Sequence, residues 1–206
     1  MENDVKIKIC GITNLDDISY LNEYKPDFAG FVIFQKSKRY VSVEKATELM
    51  KNLDESIKKV AVTVSPDLNL IHEIEKAGFD IIQIHGVIDE KLIQKIRIPI
   101  WYAYNICDSH DLEQLPFVDR IDAIVVDSEK YGSGKTFDWS VNLYSINKPL
   151  VLAGGLNSEN VKTGINIFSP YAVDVSSGVE GDYVEGKSRK DKEKIRTFIE
   201  RVRTNE

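Results

Sequence analysis

The sequence is short of the residues that would point to several common chemistries. It has only two cysteines, Cys10 and Cys107, far apart and in no CxxC pattern. A disulfide framework is therefore not expected, and a reducing, cytoplasmic setting is the simplest reading. Histidine is also scarce, at His72, His85 and His110. No ligand spacing supports a metal site, although a mouth cluster of Cys10, Cys107 and His85 is conceivable. No apolar run approaches the ~20 residues of a membrane span, and the opening "MENDVK" is too acidic for a signal peptide. There is no GxGxxG after the first apolar run and no GxSxG elbow, which removes the usual signatures of a dinucleotide fold and of a serine hydrolase. The formal net charge of −6 argues against nucleic acid as a partner.

What the sequence does have is alternation. Apolar runs at 5–10, 28–34, 58–64, 79–84, 98–104, 121–127, 149–153 and 171–175 read as strands. Amphipathic stretches at 15–24, 43–53, 67–77, 89–96, 108–116, 139–146, 157–166 and 188–203 read as helices. Several strands are apolar on nearly every residue, as parallel strands covered on both faces must be. Eight β–α units predict an α/β fold, a single compact (β/α)8 TIM barrel spanning 1–206, with a doubly wound open sheet as competitor. Asn14, Ser42, the Ser65–Asp67 segment and Asn157 stand where helix caps belong, and Gly78 follows the third helix.

In a barrel of this kind the chemistry gathers at the carboxyl ends of the strands. Those ends carry Cys10-Gly11, the "QKSKRY" segment with Arg39, Gln83-Ile84-His85-Gly86, Asp127, Ala153-Gly154-Gly155 and Asp174-Val175-Ser176-Ser177-Gly178. Gly154, Gly155, Ser177 and Gly178 follow strands seven and eight, where backbone N–H groups suit a phosphate; the alternative is a pair of tight turns. Side chains alternate along a strand, so Lys6, Lys8 and Cys10 share a face opposite Ile7 and Ile9. Lys8 beneath Cys10 would favour the thiolate and make it a usable base; the alternative is a packed, inert cysteine. Asp127 is placed either to donate a proton across the mouth, or to cap a helix or pair with Lys130. Arg39 reads as a fork for a carboxylate or as a surface arginine, and His85 as a polar contact or a structural histidine. Gly132 and Gly134 suit either a mobile cover or a plain connection.

Taken in order, "KICGIT", "GFVIFQKSKRYVS", "QIHG", "VVDS…GSGKTFDW", "LAGGLNSENV" and "PYAVDVSSGVE" closely resemble the motifs of the phosphoribosylanthranilate isomerase family of tryptophan biosynthesis, from about residue 5 to 200. Two departures stand out. Tyr131 and Ser133 flank the loop glycines where the family commonly reads GGTG, and "GDYVEGKSRKD" replaces a shorter Gly-x-Lys-Asp turn. The resemblance implies an Amadori rearrangement with Asp127 as general acid and Cys10 as general base. It also implies Arg39 on the anthranilate carboxylate and Gly155, Ser177 and Gly178 on the phosphate, with Lys8, His85, Gly154 and Asp174 completing the substrate site. No metal or organic cofactor is implied, because the substrate's own iminium serves as the electron sink. The expected partner is a small phosphosugar, with neither nucleic acid nor membrane, and the expected state is a cytoplasmic monomer or homodimer. Two other readings remain: a related phosphosugar isomerase, which would use two carboxylates, and a barrel that only binds.

Overall fold

In the computed structural model the described residues are 4–105, 117–127, 139, 147–181 and 188–204. Eight parallel strands close into a barrel in sequence order: β1 (Lys6–Cys10), β2 (Phe28–Val32), β3 (Lys58–Val64), β4 (Ile81–His85), β5 (Ile100–Asn105), β6 (Ala123–Asp127), β7 (Leu150–Leu152) and β8 (Ala172–Val175). The barrel shuts where β1 pairs with β8, Lys8 opposite Asp174. The open-sheet alternative is thereby removed.

The two-residue period of a strand sorts the side chains. Ile7 and Ile9 join the layer between barrel and helices. Cys10 turns inward with Phe28, Val60, Val62, Trp101, Val125 and Ala172. The edge of Phe28 against Trp101, with centroids 4.9 Å apart, fills the interior. At the amino end of the barrel, Asp27, Asp80 and Asp122 each accept the N–H of the first or second residue of a neighbouring strand (Ile7, Lys59 and Ile100). These carboxylates satisfy strand ends on the face where a barrel keeps its stability.

The helices among the described residues are α1 (Leu15–Tyr24), α2 (Val43–Met50), α3 (Leu68–Lys76), α4 (Glu90–Ile93), α5 (Val161–Phe168) and α6 (Lys192–Arg203). Asn14 and Ser42 cap α1 and α2 as expected, accepting the N–H of Asp17 and Lys45. Within the Ser65–Asp67 segment it is Asp67 that caps α3. Gly78 takes the left-handed backbone that ends it, at φ +81°.

Several elements are shorter than the sequence suggests, α2 among them, which ends at Met50 rather than 53. α4 is one turn rather than 89–96, because Lys95 and Ile96 bond three residues back and Pro99 follows. α5 starts at Val161 because the Asn157 side chain accepts the N–H of Glu159 and of Asn160 and holds the entry as a turn. α6 starts at Lys192 because Asp191 caps it. The expected helices at 108–116 and 139–146, Cys107, Lys130 and the Gly132–Gly134 loop lie outside the described residues, Trp139 excepted.

Candidate active site

A cavity of 430 Å³ opens at the carboxyl ends of the strands. Its wall includes Cys10, Arg39, His85, Asp127, Gly154, Gly155, Asp174 and Ser177, eight of the residues singled out from the sequence. Lys8 and Gly178 act from behind that wall.

Cys10 ends β1, with its sulfur against β2. An alanine Cβ at Gly30, its register partner, would stand 2.8 Å from the sulfur. Glycine there makes the room the thiol occupies. Gly11 follows at φ +83°, and a Cβ on it would run into the Arg39 side chain and crowd Ser176. The chain turns at Gly11 so that Arg39, reaching over from the loop after β2, can lie across it.

Lys8 is fully buried below Cys10, and its Nζ donates to Asp174 Oδ2 at 2.6 Å. Burial works against its charge, but Asp174 and, to a smaller extent, Cys10 hold its pKa above the ordinary lysine value. For the thiol the balance differs from the sequence expectation. Burial pushes the Cys10 pKa up, and that outweighs the opposing pull of the Lys8 ammonium. Asp174 adds to the rise, while Lys190 opposes it. Lys8 therefore acts in the expected direction without prevailing, because a buried thiolate loses its hydration and Asp174 offsets the cation beside it.

On β4, Gln83 and His85 point the same way, two residues apart, with Nε2 of each 2.9 Å from the other. Burial, reinforced by the nearby Lys8 charge, lowers the His85 pKa to about 3. A neutral ring that accepts from the Gln83 amide at Nε2 carries its proton on Nδ1. His85 is thus a neutral contact at physiological pH rather than a cation.

Arg39 is 8 % exposed, and its Nε donates to Glu180 Oε1 in a short contact. Glu180 follows the 3-10 turn Ser177–Val179. Its carboxylate also lies 3.5 Å from Lys190 Nζ, and that ammonium donates to the Ser176 carbonyl at 3.0 Å. Burial alone would raise the Glu180 pKa, but the Arg39 bond and the Lys190 charge bring it down to about 2. Ser176 in turn donates to the Cys10 carbonyl at 2.9 Å, so the ends of β1 and β8 and the loop after β2 form one polar network.

The sequence reading had no place for Glu180 and Lys190 in the site. Only the fold brings them in: Glu180 bridges Lys190, and the Gly181 N–H donates to the Arg189 carbonyl. The chain rejoins the barrel at Lys190-Asp191, where the Asp191 N–H donates to the Val179 carbonyl.

The two glycine loops meet above β7 and β8. Gly154 and Gly155 have φ +79° and +66°. Gly178 presses on the Leu156 carbonyl so closely that no side chain fits there. Its part is to bring the loops together, leaving Ser177 and Gly155 on the wall.

On the wall, the donor Arg39 Nη2 and the acceptors Gln83 Oε1 and Asp174 Oδ1 are buried polar atoms with no protein partner. Buried polar groups are normally satisfied. This set suits a ligand with a carboxylate for the arginine and hydroxyls for the two acceptors. Among the described residues no group of three or more His, Cys, Asp or Glu could hold a metal ion, and no helix is long and apolar enough to cross a membrane.

Comparison with known proteins agrees with this geometry. Residues 7–201 match the family model for N-(5'-phosphoribosyl)anthranilate (PRA) isomerase. The N-(5'-phosphoribosyl)anthranilate isomerase of Clostridium acetobutylicum is 45 % identical over 208 residues, covering 97 % of this chain and 98 % of that protein. The crystal structure of phosphoribosyl anthranilate isomerase from Thermotoga maritima superposes with a TM-score of 0.84 at 36 % identity, over 96 % of this chain and 98 % of that one. A phosphoribosyl anthranilate isomerase in complex with reduced 1-(o-carboxyphenylamino)-1-deoxyribulose 5-phosphate gives 0.82 at 36 % identity, with the same coverage. A closed eight-stranded barrel, a thiol and a carboxyl on one cavity wall, and a family match over nearly the whole length lead to one assignment: the chain belongs to the N-(5'-phosphoribosyl)anthranilate isomerase family.

Proposed function

We propose that Cys10 and Asp127 are the general base and general acid with which this chain isomerises N-(5'-phosphoribosyl)anthranilate to 1-(o-carboxyphenylamino)-1-deoxyribulose 5-phosphate. The observation that carries the assignment is that both side chains line one cavity, reached from β1 and from β6. Asp127 gives its proton to the ring oxygen. The C1–O bond breaks as the anilino nitrogen lends its electron pair to form the C1–N iminium. Cys10, as thiolate, takes the proton from C2. The released pair forms the C1–C2 double bond and the iminium electrons return to nitrogen. Loss of the C2 hydroxyl proton and protonation at C1 complete the ketone.

The raised Cys10 pKa sets a requirement on this sequence of steps. The thiol must ionise with help, and the help comes from the Lys8 ammonium below and from the iminium cation that develops beside it. Arg39 Nη2 receives the anthranilate carboxylate. Asp174 Oδ1 and Gln83 Oε1 accept from sugar hydroxyls. Backbone N–H groups around Gly155 and Ser177 receive the phosphate, with Gly178 supporting them from behind. Arg39 Nη2, Asp174 Oδ1 and Gln83 Oε1 are buried without a protein partner, and the Gly155 and Ser177 loops are of the kind that holds phosphate in barrels.

The partner this site fits is a small phosphosugar, handled in the cytoplasm by one barrel domain, as monomer or homodimer. Mixing the protein with substrate made in place from anthranilate and phosphoribosyl pyrophosphate tests the activity. Anthranilate-linked fluorescence should fall on addition of enzyme. No fall at high enzyme concentration would leave a barrel that binds but does not turn over.

A further inference from the structure

The substrate assigned above is an anion at both ends, a phosphate at one and a carboxylate at the other. The cavity has to tell them apart, and the cations around it do not obviously do so. Arg39 and the fully buried Lys190 stand together beside Ser176, next to the loops that receive the phosphate. An arginine fork with an ammonium at its side is a better phosphate ligand than backbone N–H groups alone. What alters that is Glu180. Its Oε1 takes Arg39 Nε and lies 3.5 Å from Lys190 Nζ, with both Glu180 and Arg39 nearly closed to water. The Nε–Nη2 edge with which an arginine chelates phosphate is thus half used, and Nη2 alone remains buried without a partner. Of the buried charges in this cluster, Arg39 and Lys190 are cations and Glu180 is the anion between them, with Asp17, whose carboxylate accepts the Lys190 N–H, as a second anion behind Lys190. Lys38, 3.8 Å from Glu180, is 43 % exposed and screened by solvent, and Lys36 on the cavity wall is exposed as well.

We infer that Glu180 is a specificity-determining residue that sets the polarity of substrate binding: by occupying Arg39 Nε and offsetting Lys190, it leaves that rim a site for one carboxylate and denies it to phosphate. Glu180 is well suited to the task because it stays ionised. The same two cations keep its pKa near 2, so the filter does not switch off at working pH. It also sits one residue beyond the 3-10 turn that begins at Ser177, so the element that receives phosphate carries the charge that confines it.

The inference rests on the isomerase reading, and the experiment separates the two. Inorganic phosphate is titrated calorimetrically into the wild-type chain and into Glu180→Gln, with anthranilate as competitor. Phosphate inhibition of turnover is measured on the same preparations. The wild type should bind one phosphate that anthranilate does not displace. Glu180→Gln should bind a second that anthranilate does displace, and phosphate should inhibit it about tenfold more strongly or better. One phosphate in both proteins, or phosphate inhibition unchanged or weakened in the variant, overturns the inference; a purely structural loss would weaken inhibition. If Glu180→Gln does not fold, Glu180→Asp keeps the charge but withdraws it from Arg39. A second phosphate there supports the filter, and if it stays at one, Glu180→Ser, which removes the charge as well, decides: a single phosphate in that variant refutes the inference. Wild-type protein without turnover would sink the isomerase reading, while the phosphate count would still decide on Glu180.

Discussion

Replacing Gly30 by alanine isolates the position of the Cys10 sulfur. Gly30 has no left-handed backbone, so alanine meets no conformational penalty there. The added Cβ would stand 2.8 Å from Cys10 Sγ, 3.1 Å from its Cα and 3.2 Å from its Cβ. Non-bonded heavy atoms normally keep about 3.5–4.0 Å, so the sulfur must retreat by roughly 1 Å. Rotating the thiol does not relieve the two contacts on Cα and Cβ. They push β1 and β2 apart where Cys10 pairs with Gly30. Overpacking of this kind costs about 1–3 kcal/mol, a fall of roughly 3–10 °C in Tm for a chain of this size. A base displaced by about 1 Å from a reacting C–H costs about 10²-fold. Steady-state fluorescence should therefore show kcat/KM down by about two orders of magnitude in a protein that still unfolds cooperatively. A Gly30→Ala enzyme within a few-fold of wild type, with unchanged Tm, would show that the sulfur has slack and that its placement does not limit the reaction.

Other outcomes follow from the same geometry. Cys10→Ala should abolish turnover while phosphate binding survives, and Asp127→Asn should slow it by ~10²–10⁴-fold; substantial activity in either, in the fluorescence assay, removes that residue from its role. Lys8→Met strands the Asp174 carboxylate in the barrel and should cost about 3–5 kcal/mol in urea unfolding. Lys8→Met/Asp174→Asn should recover more than half of that without restoring turnover, and a single variant as stable as wild type would contradict the buried pair. In a Cys107→Ser background, alkylation of Cys10 by iodoacetamide should rise with pH. Because burial raises the thiol pKa, the half-maximal rate should lie above the ~8.5 of a free thiol. Lys8→Met should move it higher still by removing the stabilising ammonium, and an unchanged profile would take Lys8 out of the proton balance.

Much of the site was readable residue by residue. The face shared by Lys8 and Cys10 followed from strand alternation alone. So did the gathering of Arg39, Asp127, Gly155 and Ser177, once eight β–α units implied that all strand ends meet. Helix lengths were less legible. The apolar period at 89–96 continues past Gln94, where the hydrogen bonds tighten from four residues back to three, and period alone does not register that change. Gly30 sits in an apolar run like any other small residue. Its meaning depends on a sulfur one β–α unit earlier in the chain, brought opposite by register.

The amino-acid order determined the repeating unit, the inward face of each strand and the chemical types placed at the mouth, because these depend on periods of two and 3.6 residues within short stretches of chain. Only closure of the barrel decided which charges neutralise which. Lys8 meets Asp174 across 166 positions of sequence, and Arg39 meets Glu180 across 141. The electrostatic state of the thiol was settled at the same level, because desolvation depends on everything packed around a group. A lysine two residues away along the strand does not measure it.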